Sequence, residues 1–126
     1  MNTPADDPLI RLRNALRDFA DARDWGQYHT PKNLAMALIG EAAEVVEHFQ
    51  WCSPEASQTL PPADRDAVAL ELADVLLYLV RLADVMEIDL ADAATRKMAL
   101  NARRYPADLA RGRADKYDRL QAPGDD

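Results

Sequence analysis

The chain has 126 residues, enough for one domain of ordinary size and too few for two. It is 48% hydrophobic and 29% charged, which excludes a disordered chain, and only 6% aromatic, which favours helices over strands. The net charge of −7 argues against non-specific binding to nucleic acid or to an anionic membrane. An acidic protein can still bind an anionic small molecule if a metal ion lies between them.

The composition also bears on where the protein works. Cys52 is the only cysteine, so no intrachain disulfide can form, and a reducing compartment fits best. The N-terminal residues are charged and contain no apolar core of a secretory signal. No stretch reaches the roughly 18 apolar residues that suggest a membrane span. We therefore expect a soluble, all-helical protein of the cytoplasm.

Two helices are predicted in the first part of the chain. The first extends from about Pro8 to about Arg23, because apolar residues recur along it at helical spacing. A polar and aromatic connector follows, over residues 24–29. Thr30 and Pro31 then suit the N-cap and first position of a second helix, which we expect to extend to about residue 51.

Two further helices are predicted after a loop. Residues 53–62 contain three of the eight prolines and are expected to form that loop. The third helix covers about residues 63–87. The fourth begins after Asp89, a suitable N-cap, and ends near Tyr105.

The predicted connections are mostly short, which favours antiparallel neighbours and hence a four-helix bundle in a single domain, residues 1–106. Residues 107–126 are more charged and less apolar, so we expect a mobile C-terminal tail. The third helix is apolar on almost every face between Ala67 and Leu82. Such a helix must be covered on all sides, and a small bundle covers only one, so we expect the chain to self-associate.

Carboxylates occupy the positions where the second and third helices should be apolar. At about 100° per residue, Glu41 lies in the middle of the core-facing stripe of the second helix, and Glu44 lies one turn further on at its edge. On the third helix, Glu71 and Asp74 share a face with Tyr78, among leucines and valines. Two neighbouring helices therefore each carry an acid pair spaced by three residues.

A divalent cation explains these acid pairs best. Burying an ionised carboxylate costs several kcal/mol unless it is paired or coordinates a cation, and four together repel one another. An all-oxygen set suits Mg²⁺ or Mn²⁺. Either pair alone is more simply explained as solvated helix charge, but two core-facing pairs are not. A ferritin-like di-iron site needs Glu-x-x-His on two helices, and Val45 and Gly26 stand where those acids would be.

A basic stripe on the fourth helix suits an anionic ligand bound through a metal. Lys97, Asn101 and Arg104 share one face, and their donors would suit phosphate oxygens. A solvated helix end that complements the helix dipole is an equally good explanation of the stripe taken alone.

Aromatic side chains cluster near the start and the end of the second helix. Trp25, Tyr28 and His29 lie in the connector, and Trp51 ends the helix. Their rings could stack on a nucleobase or a sugar, although core packing is the simpler explanation for each one alone. The sequence has no glycine-rich phosphate loop, no Ser/His/Asp set and no zinc spacing. A nucleotide would therefore be held by metal and side chains.

At these residues the sequence resembles the dCTP pyrophosphatases, which are MazG-like all-α NTP pyrophosphohydrolases. The resemblance extends from about Leu9 to Pro106, and more weakly to Lys116 and Tyr117. Four strings carry it: Arg-Asp-Trp-Gly-Gln-Tyr-His-Thr-Pro-Lys-Asn-Leu from Arg23, Gly-Glu-Ala-Ala-Glu through Phe-Gln-Trp from Gly40, Glu-Leu-Ala-Asp-Val-Leu-Leu-Tyr from Glu71, and Lys-Met-Ala-Leu-Asn-Ala-Arg-Arg-Tyr-Pro from Lys97.

The resemblance implies a role for each matching residue. The Mg²⁺ ligands and catalytic acids, with Mn²⁺ as a possible substitute, would be Glu41, Glu44, Glu71 and Asp74. The base and sugar pocket would be lined by Trp25, His29, Trp51 and Tyr78, with Gly26, Gln27 and Tyr28 in the same recognition segment. Triphosphate contacts would come from Lys97, Asn101 and Arg104. The family also implies a homotetramer built as a dimer of dimers, with sites near subunit interfaces.

The functional hypothesis is a Mg²⁺-dependent pyrophosphohydrolase that converts dCTP or a modified dCTP to dCMP and diphosphate, cleaning the nucleotide pool. Glu41 or Glu44 would orient or deprotonate the attacking water. One alternative is the same chemistry on dUTP or a damaged nucleotide. A remote alternative is a non-catalytic helical module whose acidic face binds a basic partner.

Overall fold

The computed structural model describes residues 6–120, and every regular element in that range is helical. The prediction of an all-helical protein is therefore confirmed, and no helix in the range is long and apolar enough to cross a membrane. Predictions that concern the first five residues and the end of the tail, residues 121–126, lie outside the described residues. The helices are α1 (Pro8–Ala22), α2 (Pro31–Glu47), α3 (Pro54–Ser57), α4 (Pro62–Val85), α5 (Leu90–Arg104) and α6 (Ala107–Ala110), followed by a 3₁₀ turn (Tyr117–Arg119).

Side-chain caps fix the starts of the three helices α1, α2 and α5. The N-caps are Asp7, Thr30 and Asp89, and each side-chain oxygen accepts a hydrogen bond from a backbone N–H of the first turn at 2.9–3.2 Å. Pro8 and Pro31 occupy the first turns of α1 and α2, where a missing N–H costs nothing. The predicted caps Thr30 and Asp89 are confirmed.

The second helix is shorter than predicted. It ends at Glu47 rather than near Trp51, because the N–H groups of His48 and Phe49 donate to carbonyls three residues back, at 3.2 and 2.9 Å. These bonds tighten the last turn and close the helix. Pro54 indicates a later end, because proline disfavours helical geometry only in the residue before it.

The predicted loop over residues 53–62 contains a short helix, α3. Ser53 is its N-cap and accepts a hydrogen bond from the Ala56 N–H at 3.1 Å, and Pro54 occupies its first turn. The prediction treated these prolines only as helix breakers. A proline that follows a serine cap instead starts a helix, because its fixed φ is already helical.

The chain divides into two compact units, one through Ile88 and one from Asp89 onward. In the first unit, α4 packs against both α1 and α2. The buried apolar side chains of this unit are Ala20, Leu34, Val68, Val80 and Ala83. The contact between α2 and α4 positions the candidate site, because the two acid pairs lie on these helices.

The second unit contains α5, α6 and the 3₁₀ turn. Within it, the Arg104 guanidinium lies 4.6 Å from the ring centre of Tyr117, and the ring of Tyr105 meets Tyr117 edge-on at 6.2 Å. The described part of the predicted tail therefore contains ordered turns that contact α5. The domain boundary at residue 106, and the mobility of the tail, stay predictions.

Candidate metal centre and adjoining cavity

Four carboxylates converge between α2 and α4. Each residue contributes one carboxylate oxygen, and these four oxygens all lie within 4.8 Å of one another. The residues are Glu41, Glu44, Glu71 and Asp74. The spacing of three residues places each pair on one face of its helix, and the packing of α2 on α4 brings the two faces together. Glu41 and Glu71 are half-buried, whereas Glu44 and Asp74 are exposed. The cluster therefore has an inner side and a side open to ligands.

The inner carboxylates lack partners for part of their hydrogen-bonding capacity. Among the described residues, the Oε2 atoms of Glu41 and Glu71 are buried and accept no hydrogen bond. Buried polar atoms without partners are rare in folded proteins and usually mark an ion, a water or a functional role. Since a divalent cation such as Mg²⁺ takes carboxylate oxygens as ligands, the donor set fits one. These residues could hold a metal ion.

The electrostatics of the cluster agree with that fit. Burial raises the pKa of Glu41 above its ordinary value, and the hydrogen bond and charge of Glu44 raise it further. The hydrogen bond with Glu44 raises the pKa of Glu71 most, and burial raises it further. His48 offsets part of this increase, since its Nε2 lies 3.8 Å from Glu71 Oε1. Without a cation, the folded cluster therefore binds protons more tightly than isolated carboxyls do.

A cavity of about 400 Å³ adjoins the acid cluster within the first unit. Asp74 belongs to both, so a ligand in the cavity would reach the carboxylates through it. The wall is mainly apolar, with polar groups at one part of it, as is typical of small-molecule sites. It is formed by Leu12, Ala15, Leu16, Phe19, Trp25, His29, Leu34, Asp74, Leu77, Tyr78 and Arg81.

The structure brings three of the predicted pocket residues to this wall: Trp25, His29 and Tyr78. The rings of Trp25 and His29 meet edge-on at 6.2 Å. Trp25 also packs edge-on against Phe19, at 5.6 Å, so the aromatic part of the wall is continuous from α1 into the connector.

The other predicted residues of the recognition segment lie outside the cavity wall. Gly26, Gln27 and Tyr28 form turns in the connector, where the Gln27 amide donates to the Asp24 carbonyl at 3.0 Å. Tyr28 is 60% exposed, and Trp51, after the end of α2, is 90% exposed. Their proposed roles stay predictions.

The predicted triphosphate contacts lie on α5, in the second unit. Lys97 and Asn101 are exposed, and Arg104 is half-buried under the Tyr117 ring. Their part in binding also stays a prediction.

The sequence did not identify the cavity residues of α1. Leu12, Leu16 and Phe19 recur at helical spacing, and this pattern predicts only an apolar face, because a cavity wall made of leucines has the same periodicity as a core. Arg81, by contrast, left a signal: it continues the face of Asp74 and Tyr78 by one more turn of α4. Its Nε donates a hydrogen bond to Nδ1 of His29 at 3.0 Å.

Comparison with known proteins identifies the family of this chain. A model of the MazG-like family matches residues 39–120, which include both acid pairs. The chain belongs to the MazG-like family. Two curated relatives are named dCTP pyrophosphatase 1. The one from Mus musculus is 47% identical over 114 residues, covering 89% of this chain and 67% of the relative. The one from Homo sapiens is 46% identical over the same lengths.

A solved structure of the same fold is also similar to this MazG-like chain. It is the crystal structure of a pyrophosphatase from Archaeoglobus fulgidus, with a TM-score of 0.73 and 45% sequence identity. The match covers 76% of this chain and 90% of the archaeal one. The two proteins are therefore similar in sequence as well as in fold. All four acids of the cluster lie within the segment that matches the MazG-like family.

Proposed function

We propose that this chain is a metal-dependent nucleoside triphosphate pyrophosphohydrolase that converts dCTP, or a modified dCTP, to dCMP and diphosphate. The observation that carries the proposal is the convergence of four carboxylates at the edge of a cavity that shares Asp74 with them. A cluster of acids alone would suit many cations. A cluster beside a pocket with aromatic and apolar walls suits a cation that carries a nucleotide. The names of the relatives, dCTP pyrophosphatase 1, support the choice of base.

The four acids would hold Mg²⁺, with Mn²⁺ as a possible substitute, because both are hard cations that prefer oxygen ligands. Such an ion, when bound, neutralises phosphate charge and lowers the pKa of a coordinated water. Glu41 or Glu44 would orient the attacking water or accept its proton. Burial raises the pKa of Glu41 above its ordinary value, so this carboxyl binds a proton more readily than an isolated glutamate does.

The base and sugar of the nucleoside would lie in the cavity, against Trp25, His29 and Tyr78. The volume of about 400 Å³ is within the roughly 300–1,000 Å³ of small-molecule pockets. The triphosphate contacts would be Lys97, Asn101 and Arg104, whose donors suit phosphate oxygens. Gly26, Gln27, Tyr28 and Trp51 would complete the recognition of the substrate. A cytoplasmic nucleotide pool is the natural source of such a substrate.

We also propose that the helices form a four-helix bundle and that four chains assemble as a dimer of dimers. Large apolar side chains of the first unit are exposed in a single chain, among them Met36 and Ile39 on α2, Leu70 and Leu72 on α4, and Trp51. Monomeric proteins rarely leave so many exposed together. Light scattering on the purified protein should give four times the 14.0 kDa mass of one chain, and a monomer would contradict the assembly.

A turnover assay with separate nucleotides tests the proposed activity. With Mg²⁺ present, we expect hydrolysis of dCTP to dCMP and diphosphate. This reaction should be faster than the hydrolysis of dUTP, dTTP, dATP or dGTP to their own monophosphates. Chromatography of both products distinguishes diphosphate release from stepwise loss of phosphate. Preference for dUTP or for a damaged nucleotide would keep the chemistry and change the substrate. Absence of turnover on every nucleotide would contradict the proposal and favour a non-catalytic helical module.

A further inference from the structure

Arg81 is a charged side chain in the wall of a mainly apolar cavity. It lies on α4, its side chain is 12% exposed, and its Nε donates to Nδ1 of His29 at 3.0 Å. An arginine side chain keeps its protons at every accessible pH, so it can only donate. The His29 Nδ1 atom must therefore be unprotonated and accept the bond. A neutral imidazole of this kind carries its single proton on Nε2.

Arg81 is itself held in place from two helices. Its Nη1 lies 3.7 Å from Asp84 Oδ2, one turn further along α4. Arg17 of α1 binds both oxygens of that carboxylate, with Nε donating to Oδ2 at 2.7 Å. The hydrogen bond from Arg17 lowers the pKa of Asp84, so the carboxylate stays ionised at neutral pH. A continuous polar chain thus extends from Arg17 through Asp84 and Arg81 to His29.

The surroundings of His29 favour the same protonation state. Burial lowers its pKa below the ordinary value, and the charge of Arg81 lowers it further. The other titratable groups of α4 in the cavity wall are Asp74 and Tyr78, while Trp25 packs edge-on against the imidazole. The ring therefore has Nδ1 occupied and Nε2 available to a ligand in the cavity.

We propose that Arg81 is a positioning residue, which fixes His29 as the neutral imidazole with its proton on Nε2. The cavity then presents a hydrogen-bond donor at this point and selects a nucleoside that carries an oxygen acceptor there, either a carbonyl of the base or the 3′ oxygen of the sugar. The identity of the ligand rests on the proposed function. The state of the imidazole does not, because it follows from the hydrogen bond alone.

Nuclear magnetic resonance of the metal-free protein tests the state of His29 directly. The chain has two histidines, so ¹⁵N-histidine labelling gives two sets of ring signals, and His29→Gln identifies one. We expect wild-type Nδ1 to be an unprotonated acceptor with the proton on Nε2. Arg81→Met should raise the His29 pKa, since it removes a nearby positive charge and frees Nδ1. Arg96→Met removes a well-exposed arginine of α5 that pairs with Asp92, so it should leave the signals unchanged.

Steady-state kinetics test the consequence for the substrate. Arg81→Met should raise the KM for dCTP roughly tenfold and change kcat little, because one hydrogen bond present in both ground and transition states is weakened. Arg96→Met should change neither constant. With 2′,3′-dideoxy-CTP, a KM ratio that falls to one assigns the acceptor to the 3′ oxygen, and a ratio that persists assigns it to the base. Both results support positioning by Arg81.

Two results would overturn the inference. One is a wild-type spectrum in which His29 carries its proton on Nδ1, which does not depend on Arg81→Met and decides the matter even if that variant fails to fold. The other is a folded Arg81→Met protein with the wild-type His29 pKa. Absence of any turnover in the wild type would contradict the proposed function instead, and the spectra would still report on Arg81.

Discussion

Glu71→Gln is expected to lower turnover of dCTP by roughly a thousandfold, equivalent to about 4 kcal/mol of transition-state stabilisation. The substitution keeps the size of the side chain and removes its charge, so the cluster of four carboxylates loses one ligand. The Oε2 atom of Glu71 is buried without a partner in the described part of the chain, which makes it an inner member of the set. The assay is product formation under saturating Mg²⁺ and dCTP.

Glu47→Gln is the matched control for this prediction. Glu47 also lies on α2, but it is exposed and is not one of the four converging acids. We expect its turnover to stay within about twofold of the wild type, as for surface substitutions in general. Near-native turnover by a folded Glu71→Gln protein would contradict the metal assignment. Circular dichroism decides whether the variant is folded, and removing one of several repelling charges should not unfold it.

The convergence of the four acids could be predicted from the sequence because two physical constraints agree. Helical phase places Glu41 and Glu71 where an apolar side chain is expected, and burial of a lone carboxylate is too costly to occur without a partner. A residue that violates the hydrophobic pattern in this way is more informative than one that follows it. Glu47 lies further round the same helix, where its phase is less clearly inward, and the structure leaves it exposed.

The cavity could not be predicted in the same way. Leu12 and Leu16 of α1 follow the hydrophobic pattern whether they pack against neighbours or line an empty space. The difference depends on the distance between α1 and α4, which no local pattern encodes. The predicted end of α2 was wrong for a related reason, since Pro54 both prevents α2 from continuing and starts α3.

Stability of the metal-free protein is expected to fall as pH rises above about 4.5, the ordinary pKa of a glutamate. The folded state raises the pKa of Glu41 and Glu71, so it holds more protons than the unfolded state between the ordinary and the raised values. The stabilisation is complete below the ordinary pKa and is lost as pH passes through the raised one. Two groups act in the opposite direction: Asp84 near and below its ordinary pKa of 3.8, and His29, whose lowered pKa favours the folded state as pH rises toward the ordinary value of 6.5. The contribution of the acid cluster is therefore read from the difference between the wild type and Glu41→Gln.

Magnesium should reverse this pH dependence, since it binds the ionised cluster and not the protonated one. At a hundred times its Kd, a ligand that binds only the folded state adds about 2.7 kcal/mol, and this gain should grow with pH as protons leave Glu41 and Glu71. Thermal unfolding from pH 4.5 to 8, with Mg²⁺ or with a chelator, measures the difference. Glu41→Gln should flatten the metal-free decline and reduce the Mg²⁺ effect, whereas Glu47→Gln should keep both.

The interaction-module alternative predicts a different outcome in the same experiment. An acidic face that binds a basic partner has no built site for a small cation, so Mg²⁺ would act only by screening, and Na⁺ at equal ionic strength would match it. A Tm that responds equally to both ions at every pH would therefore contradict the metal site. A response specific to Mg²⁺ that needs Glu41 ties the buried oxygens of the cluster to ligation, because screening requires no particular carboxylate.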